Sequence, residues 1–562
     1  MIEKILAFAV ERRVLVVLLT AFAAIYGATQ LVQLPVDAVP DITNRQVQIN
    51  AVAASLGPTE MERQVSYPIE TAMAGMPGLV ETRSISRNGF AQVTVIFTDD
   101  TDLYFARQQV GERLTQASGT LPPGVDPQIG PVSTGLGEVL MWTVDFAHPD
   151  GRGAPRARAG QPGWQTDSSY LTPEGQRLTT PEERLTYLRT VQDWIIRPQM
   201  RQVANVAGVD AIGGFVKQYE VAPDPVRLAA AGLSMTDLVD ALERGNVSSG
   251  AGVVERSGEG LVVRADARVS RGSEIASIVI AQRGGAPVRV IDVATISSGR
   301  EVRTGAASVN GHGAVVGTAL MLAGGNSRTV AAESAAKLDE IGAALPPGIV
   351  VTPVLDRSVL VDATISTVAK NLTEGALLVI VVLFLLLGNF RAAIITVLVI
   401  PLSMLLAAIG MVKGGVSGNL MSLGALDFGL IVDGAVIIVE NCLRRLAERQ
   451  NHEDRLLSLQ ERLHEVMVAA REMIRPSVFG QAIIILVYLP LLAFDGVEGK
   501  MFAPMAITVM LALAAAFVLS LTFVPAMVAL LVTGKVEEKE PRVLAATRSR
   551  YEPLLDKALA RP

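Results

Sequence analysis

The sequence has little cysteine and histidine, which limits the metal and redox sites that it can form. Cys442 is the single cysteine among 562 residues, so neither an intramolecular disulfide nor a CxxC-type metal site can form within the chain. Four histidines are present, and none has HxxxH or HExxH spacing. A metal site must therefore use carboxylates, methionines or another chain.

Motifs for ATP, nucleic acid and enzymatic catalysis are also missing. No GxxxxGK[ST] phosphate loop occurs, so ATP is not expected to be the direct energy source. The formal net charge of -6 provides no basic excess for nucleic acid. No nucleophile motif is present, so we predict that the protein is not an enzyme. Aromatic residues make up 5% of the chain, whereas pockets for amphiphiles favour aromatic linings.

Apolar residues, by contrast, are abundant and clustered. They form half of the chain, and the mean hydropathy is +0.39, as in membrane proteins. Six membrane spans are predicted, at residues 14–32, 371–387, 392–412, 420–439, 478–494 and 503–532. Basic residues before the first span and in the segment 442–475 predict that both termini are cytoplasmic.

The region between the first two spans is too long for a loop, and we expect it to fold outside the membrane. Strand-like alternation occurs at 45–53, 90–97, 139–146, 261–269 and 349–355. Helical patterns occur at 59–74, 102–117, 181–206 and 328–344. The sequence LPPG stands at 121–124 and again at 345–348, after a helical pattern each time. We therefore predict two repeated βαβ subdomains, with a flexible insertion at 147–163.

The fourth span carries acidic residues where charge is costly. At a rise of ~1.5 Å per residue, Asp427 lies ~10 Å and Asp433 ~20 Å below its outer end, which brackets the midplane of a ~30 Å hydrocarbon core. A central carboxylate costs on the order of 3 kcal/mol, and protonation removes that cost. These acids are candidates for a proton relay, with structural pairing to a polar neighbour as the alternative.

Helical geometry divides these acids between two faces. Asp433 and Glu440 are seven residues apart and share a face, whereas Asp427 lies about 120° away. Glu440 is expected at the cytoplasmic edge of the span, where a charge costs little free energy. A purely structural role is therefore an alternative for Glu440. Partners from other helices must complete any path through all three.

Three acids of the outer region are candidate metal ligands. Glu138 precedes a predicted strand after a Gly-rich turn, and Asp145 and Asp167 are nearby in sequence. Divalent cations of hard or borderline character favour oxygen ligands. Solvated surface positions are the alternative for each of them.

Several motifs together resemble a known family of membrane transporters. They are LPVDAVPD at 34–41, GNFRA at 388–392, Pro401, DFG at 427–429 with VDGA at 432–435, and VEN at 439–441. The chain resembles the amino-terminal half of a resistance-nodulation-division (RND) permease, of the heavy-metal-efflux branch typified by cobalt-zinc-cadmium pumps. Drug-exporting members usually show two adjacent aspartates where this chain has Asp433 and Gly434.

This resemblance implies an α+β membrane protein with six transmembrane helices and a large periplasmic domain of ferredoxin-like βαβ subdomains with an inserted docking subdomain. The implied domains are a cytoplasmic start with the first span (1–33), porter subdomain 1 (34–131), porter subdomain 2 (132–208 and 274–366), the docking subdomain (209–273), spans two to four (367–440), a cytoplasmic loop (441–477), spans five and six (478–532) and a cytoplasmic amphipathic segment (533–562).

The resemblance also implies a function. A proton antiporter of the inner membrane would export a divalent cation (Zn, Co, Cd or Ni) as its substrate and need no cofactor. It would work as a homotrimer with a periplasmic membrane-fusion adaptor and an outer-membrane channel. Asp427, Asp433 and Glu440 match the proton-translocation acids of the branch, and Glu138 is similar in placement to an acid at a periplasmic zinc site.

This chain is shorter than a complete member of the family. RND permeases have about twelve spans in two similar halves, and this chain stops at Pro562, so a missing carboxy-terminal half is expected. Two alternatives stay open. One is an RND exporter of drugs or amphiphiles, and the other is an inactive, truncated membrane scaffold.

Overall fold

The computed structural model describes residues 2–37, 39–53, 55–256, 258–283, 285–303, 305–387, 389–424, 428–536 and 542–560. The chain divides into two compact units. Unit 1 comprises Met1–Val139, Leu320–Glu333 and Asp356–Pro562, and unit 2 comprises Leu140–Ala319 and Ser334–Leu355.

Unit 1 begins with two helices and a four-stranded sheet. In chain order the elements are α1 (Ile2–Glu11), α2 (Arg13–Gln33), β1 (Arg45–Val52), α3 (Pro58–Met61), a π-helical turn (Glu62–Ser66), α4 (Tyr67–Met73), β2 (Leu79–Arg87), β3 (Phe90–Phe97), α5 (Leu103–Ser118) and β4 (Gln128–Ile129). The strand order is β2-β3-β1-β4, with antiparallel pairing. Alternate residues of β1 (Val47, Ile49 and Ala51) are buried against Met61 and Ile69, which form part of one core.

A second repeat, which forms most of unit 2, has two insertions. Its elements are β5 (Glu138–Phe146), β6 (Gly163–Trp164), β7 (Tyr170–Leu171), β8 (Arg177–Leu178), α6 (Pro181–Val191), a π-helical turn (Gln192–Ile196), α7 (Arg197–Met200), β9 (Val206–Gly213), β10 (Lys217–Pro223), α8 (Pro225–Ala230), α9 (Met235–Arg244), β11 (Ser248–Arg256), β12 (Glu259–Asp266), α10 (Gly272–Ala276), β13 (Val279–Arg283), β14 (Ala286–Arg289), α11 (Val290–Val293), β15 (Ala294–Arg300), β16 (Ala307–Val309), β17 (His312–Met321), α12 (Ser327–Ala344) and β18 (Ile349–Asp356).

The two sheets share one strand order. In the second sheet β9 and β5 both pair with β17, and β18 lies beyond β5, so the order β9-β17-β5-β18 repeats β2-β3-β1-β4. The two LPPG sequences follow α5 and α12, which hold the same place in the two repeats. Each repeat also has a π-helical turn just before a proline, Pro68 or Pro198. Proline lacks an N–H and clashes with the preceding turn, and the wider turn accommodates it.

The region between β9 and β17 has a core of its own. β10 pairs with β15, and the hairpins β11-β12 and β13-β14 lie between them in sequence. Buried residues of this core include Leu228 and Leu238, and also Ile275, Val290 and Val293. The core therefore takes in residues on both sides of the boundary predicted at 273.

Several of the remaining helices are long and apolar. They are α13 (Arg357–Leu387), α14 (Phe390–Lys413), α15 (Leu420–Gly424), α16 (Phe428–Glu453), α17 (Leu459–Tyr488) with a 3-10 turn (Leu489–Ala493), α18 (Gly496–Leu521), α19 (Phe523–Leu531) and α20 (Arg542–Ala560). Among the described residues, five helices are long and apolar enough to span a membrane: Arg13–Gln33, Arg357–Val382, Phe390–Lys413, Leu459–Ala493 and Gly496–Leu521. The fourth predicted span, 420–439, contains residues 425–427, which lie outside the described part of the chain.

Helix bounds differ from the predicted spans in two ways. α13 and α17 begin well before the predicted starts at 371 and 478, because a helix continues through polar residues that hydropathy does not count. The last predicted span, 503–532, is two helices, α18 and α19, separated at Thr522.

One close helix contact depends on a glycine. A Cβ atom on Gly27 of α2 would lie 2.8 Å from the carbonyl carbon of Leu405 in α14. Small residues let helix backbones approach closely in lipid, where no hydrophobic force holds helices together. Gly27 therefore sets the distance between α2 and α14.

Candidate intramembrane acid site

Helix α16 has a buried face and an exposed face. Ile431, Val432 and Ala435 belong to the core that the bundle helices share, with Ile438, Val439 and Cys442 continuing that face. Asp433 and Glu440 are both exposed in this chain. At about 100° per residue, the stripe through these two acids points away from the bundle core.

Two of the three predicted relay acids lie within the described part of α16. Asp433 and Glu440 share a face of α16, as the sequence spacing predicts, and are separated by about 10.5 Å of helix rise. Asp427 lies outside the residues that the structure describes. The proton-relay role of all three stays a prediction.

Polar side chains that the sequence did not single out surround Gly434, the residue after Asp433. A Cβ atom on Gly434 would lie 3.5 Å from each of three polar atoms, Ser477 Oγ and Gln481 Nε2 of α17 and Ser520 Oγ of α18. Ser477 Oγ and Gln481 Oε1 are buried and have no hydrogen-bond partner. Because unpaired buried polar atoms are costly, this group makes the inner side of α16 locally polar beside the acid-bearing face.

The carboxy-terminal part of α16 is fixed to α17 by hydrogen bonds just after Glu440. Asn441 Nδ2 donates to the Ala469 carbonyl oxygen at 2.8 Å and to Glu472 Oε2 at 3.1 Å. Arg444 donates to Asn441 Oδ1 at 2.8 Å, and Arg445 forms an ion pair with Glu472. Asn441 is part of the VEN motif, and its buried amide fixes the helix that presents Glu440.

The three candidate metal ligands have separate environments. Glu138 is exposed at the start of β5, and Asp145 lies near the other end of the same strand. Asp167 occupies an exposed turn, where it accepts hydrogen bonds from Ser169 and Arg177. Those hydrogen bonds, with Ser169 first, lower the pKa of the Asp167 carboxyl.

Asp145 lies in the most enclosed setting of the three. It lines a cavity of about 210 Å³ together with Asp150, Arg184 and His312. Burial raises the pKa of Asp145, while the Phe146 amide, 2.7 Å away, and the nearby His312 act in the opposite direction. In the described parts of the chain, no group of three or more His, Cys, Asp or Glu residues is placed to hold a metal ion. Metal binding by these acids stays a prediction.

Known proteins resemble this chain over its whole length. The sequence profile of the AcrB/AcrD/AcrF family matches residues 5–562. The chain is 62% identical over 562 residues to the nickel-cobalt-cadmium resistance protein NccA of Alcaligenes xylosoxydans xylosoxydans, covering 100% of this chain and 52% of that protein. It is 51% identical over 560 residues to the cobalt-zinc-cadmium resistance protein CzcA of Cupriavidus metallidurans, covering 100% of this chain and 50% of that protein.

A solved structure is also similar to nearly all of this chain, and the match covers about half of the solved chain. The crystal structure of a heavy metal efflux pump is similar with a TM-score of 0.76 and 32% identity, over 94% of this chain and 48% of that chain. The chain thus spans about half the length of the curated relatives that it matches.

Proposed function

The chain belongs to the AcrB/AcrD/AcrF family, and from that premise we propose that it is the amino-terminal half of a proton-driven exporter of divalent heavy-metal cations. As a secondary active transporter it would carry out no covalent chemistry. The fold shared with the solved efflux pump, with mixed helix and sheet content and several apolar helices, supports this proposal.

The observation that carries the proposal is the exposed acidic stripe of α16. Asp433 and Glu440 are exposed on one face of α16, whereas the opposite face is packed into the bundle core. A carboxylate facing lipid would be costly, whereas one that faces a protein surface or a water-filled path can gain and lose protons. We infer that a second half, present in relatives of twice the length, covers this stripe and completes the relay with Asp427.

The substrate class follows from relatives and ligand chemistry together. The two relatives NccA and CzcA are named for resistance to nickel, cobalt, cadmium and zinc. Cations of this group accept carboxylate and imidazole ligands, and the chain has a single, buried cysteine. We propose Glu138 as a periplasmic ligand of the transported cation, with Asp145 and Asp167 as weaker candidates that require ligands from elsewhere.

Assembly and placement are part of the same proposal. The transporter would lie in the inner membrane with six spans in this half, both ends of the chain cytoplasmic and a large periplasmic domain. Its two repeats, with their shared strand order, fit ferredoxin-like porter subdomains, and the region between β9 and β17 fits a docking subdomain. A homotrimer with a periplasmic adaptor and an outer-membrane channel completes the proposed complex.

Substitution of the relay acid tests this function. We expect Asp433→Asn to lower proton-coupled export of Ni²⁺ or Zn²⁺ at least about tenfold, because an amide cannot carry the proton. The measurement is cation flux in vesicles that contain this chain together with a second half. Glu498→Gln is the matched control, since it removes an exposed acid from the first turn of α18 without touching α16.

The outcomes separate the alternatives. Unchanged export by Asp433→Asn would contradict a proton-relay role for Asp433. Proton-driven flux of organic compounds, without cation flux, would identify a drug or amphiphile exporter. A complete complex without any flux, but with adaptor binding, would identify a membrane scaffold.

A further inference from the structure

A half-buried carboxylate follows the first membrane helix. Asp37 belongs to the LPVDAVPD motif, four residues after the end of α2. Ser327, a fully buried serine at the start of α12, donates a hydrogen bond from its Oγ to Asp37 Oδ1. The two residues are 290 positions apart in the sequence, so this bond joins the linker after α2 to a helix of the second repeat.

The same linker is also bound to the loop before α15. The Asp37 amide donates to the Gly418 carbonyl oxygen at 3.0 Å, and the Gly418 amide donates to the Pro35 carbonyl oxygen at 2.9 Å. A Cβ atom on Gly418 would lie 3.1 Å from Leu34 Cδ2, so the linker is packed closely against this glycine. Residues 34–37 therefore hold Gly418 by both backbone pairing and side-chain packing.

Gly418 directly precedes the cap of α15. Asn419 and Ser422 are buried and cap each other, with Ser422 N donating to Asn419 Oδ1 at 2.8 Å and Asn419 N donating to Ser422 Oγ at 2.9 Å. This cap begins the predicted fourth span, which leads in sequence to Asp427 and to α16 with Asp433. A displacement of the linker would therefore act on the start of the acid-bearing span.

A buried guanidinium completes the surroundings of Asp37. Nε and Nη2 of Arg357, the first residue of α13, are buried without a hydrogen-bond partner. Burial raises the pKa of Asp37, and the Ser327 hydrogen bond and the Arg357 charge act in the opposite direction, while Asp41 adds to the rise. Next to Ser327, Arg328 forms an ion pair with Asp362 at 2.7 Å, which connects α12 to α13.

We propose that Asp37 is a positioning residue that couples the start of α12, and with it the second repeat, to the loop that begins the acid-bearing span. The inference rests on the proposed function and names the residue that would link proton movement at Asp433 to rearrangement of the periplasmic repeats. Asp37 is not one of the candidate metal ligands. It acts by holding Ser327 of α12 and Gly418 in one network beside Arg357.

The test measures two fluxes in the same proteoliposomes, which contain this chain with a second half. Proton uptake and Zn²⁺ export are recorded together, and their ratio is the readout. Asp37→Asn keeps a hydrogen-bond acceptor but removes the charge that faces Arg357, and we expect Zn²⁺ exported per proton to fall about two- to tenfold. Ser327→Ala removes the hydrogen bond and leaves Asp37 ionisable, so it should shift the ratio in the same direction.

Asp41→Asn is the matched control. It removes a neighbouring, exposed carboxylate from the same linker, and we expect the wild-type ratio. An unchanged ratio in both Asp37→Asn and Ser327→Ala, or a proportional loss of both fluxes, overturns the coupling role. If Asp37→Asn does not fold, the ratio in Ser327→Ala alone decides. A wild-type complex without proton-coupled Zn²⁺ flux would instead contradict the proposed function.

Discussion

Asp145 and Asp167 are two carboxyl groups of one repeat with opposite surroundings. Asp145 is half-buried beside a cavity, whereas Asp167 is exposed in a turn that supplies hydrogen-bond donors. Burial favours the neutral carboxyl and donors favour the carboxylate, so the two pKa values move apart. The two carboxyl groups therefore contribute differently to the free energy of unfolding as the pH changes.

This difference predicts opposite pH dependences. In the folded state the pKa of the Asp145 carboxyl is raised above the reference value of 3.8. The contribution of Asp145 to the free energy of unfolding therefore falls as the pH rises from 3.8 through the raised pKa. Asp145→Asn should remove that fall. Asp167, with a lowered pKa, contributes stability above 3.8 that is lost as the pH decreases, so Asp167→Asn should weaken the protein at neutral pH.

Denaturant titrations at several pH values check both signs. The fluorescence of Trp142 and Trp164, which are buried in the same repeat, reports its unfolding. Parallel pH curves for the two variants would contradict the assignment of burial to one carboxyl and exposure to the other.

Candidate residues could be identified from the sequence where a local energetic cost singles them out. Asp433 and Glu440 were found because acids are rare in an apolar span, and their shared face follows from a spacing of seven. Ser477, Gln481 and Ser520 were not found, since serine and glutamine carry no signal until three helices bring them together at Gly434. Asp37 stood in a recognised motif, but its partner Ser327 is too distant in sequence to be inferred.

At the scale of elements, close helix packing rests on small residues. Gly27 of α2 faces the backbone of Leu405 in α14, whereas no atom lies within 4 Å of a Cβ placed on Gly480 of α17. Gly27 and Gly480 can therefore be compared directly, because a methyl group has no space at the first position and has space at the second.

Alanine at these positions should act in opposite directions. Gly27→Ala should destabilise the bundle by about 1–3 kcal/mol, because the added methyl group forces α2 away from α14. Gly480→Ala should stabilise it by roughly 0.5–1 kcal/mol, because alanine loses less backbone entropy in a helix. Thermal unfolding of the detergent-solubilised chain measures both, and an equal midpoint for Gly27→Ala and the wild type would contradict the close approach.

The type and approximate position of most elements could be predicted from the sequence, whereas the ends of several helices could not. The strands at β1, β3 and β5 match the predicted alternation within one residue, because alternate residues of each strand are buried. The pattern predicted a helix through 206, but α7 ends at Met200 and β9 begins at Val206. The pairing of β9 with β17, which lies beyond an insertion of nearly a hundred residues, depends on contacts that no local pattern contains.

On the scale of the whole molecule, the exposed acidic stripe of α16 and the match to about half the length of the relatives both bear on the proposed function. The duplicated repeats could be predicted from the LPPG repeat, and the apolar helices from composition. The exposure of Asp433 and Glu440 could not be predicted, because it depends on how other helices pack against α16, which no local pattern contains.

If a proton gradient drives cation export, an imposed gradient must drive it without ATP. Inverted membrane vesicles that hold the completed transporter are given an inside-acidic pH gradient in the absence of ATP, and uptake of Zn²⁺ or Ni²⁺ is recorded. We predict uptake that stops when a protonophore collapses the gradient and that is lost in Asp433→Asn. Uptake that persists without the gradient, or that requires ATP, would contradict proton-driven export.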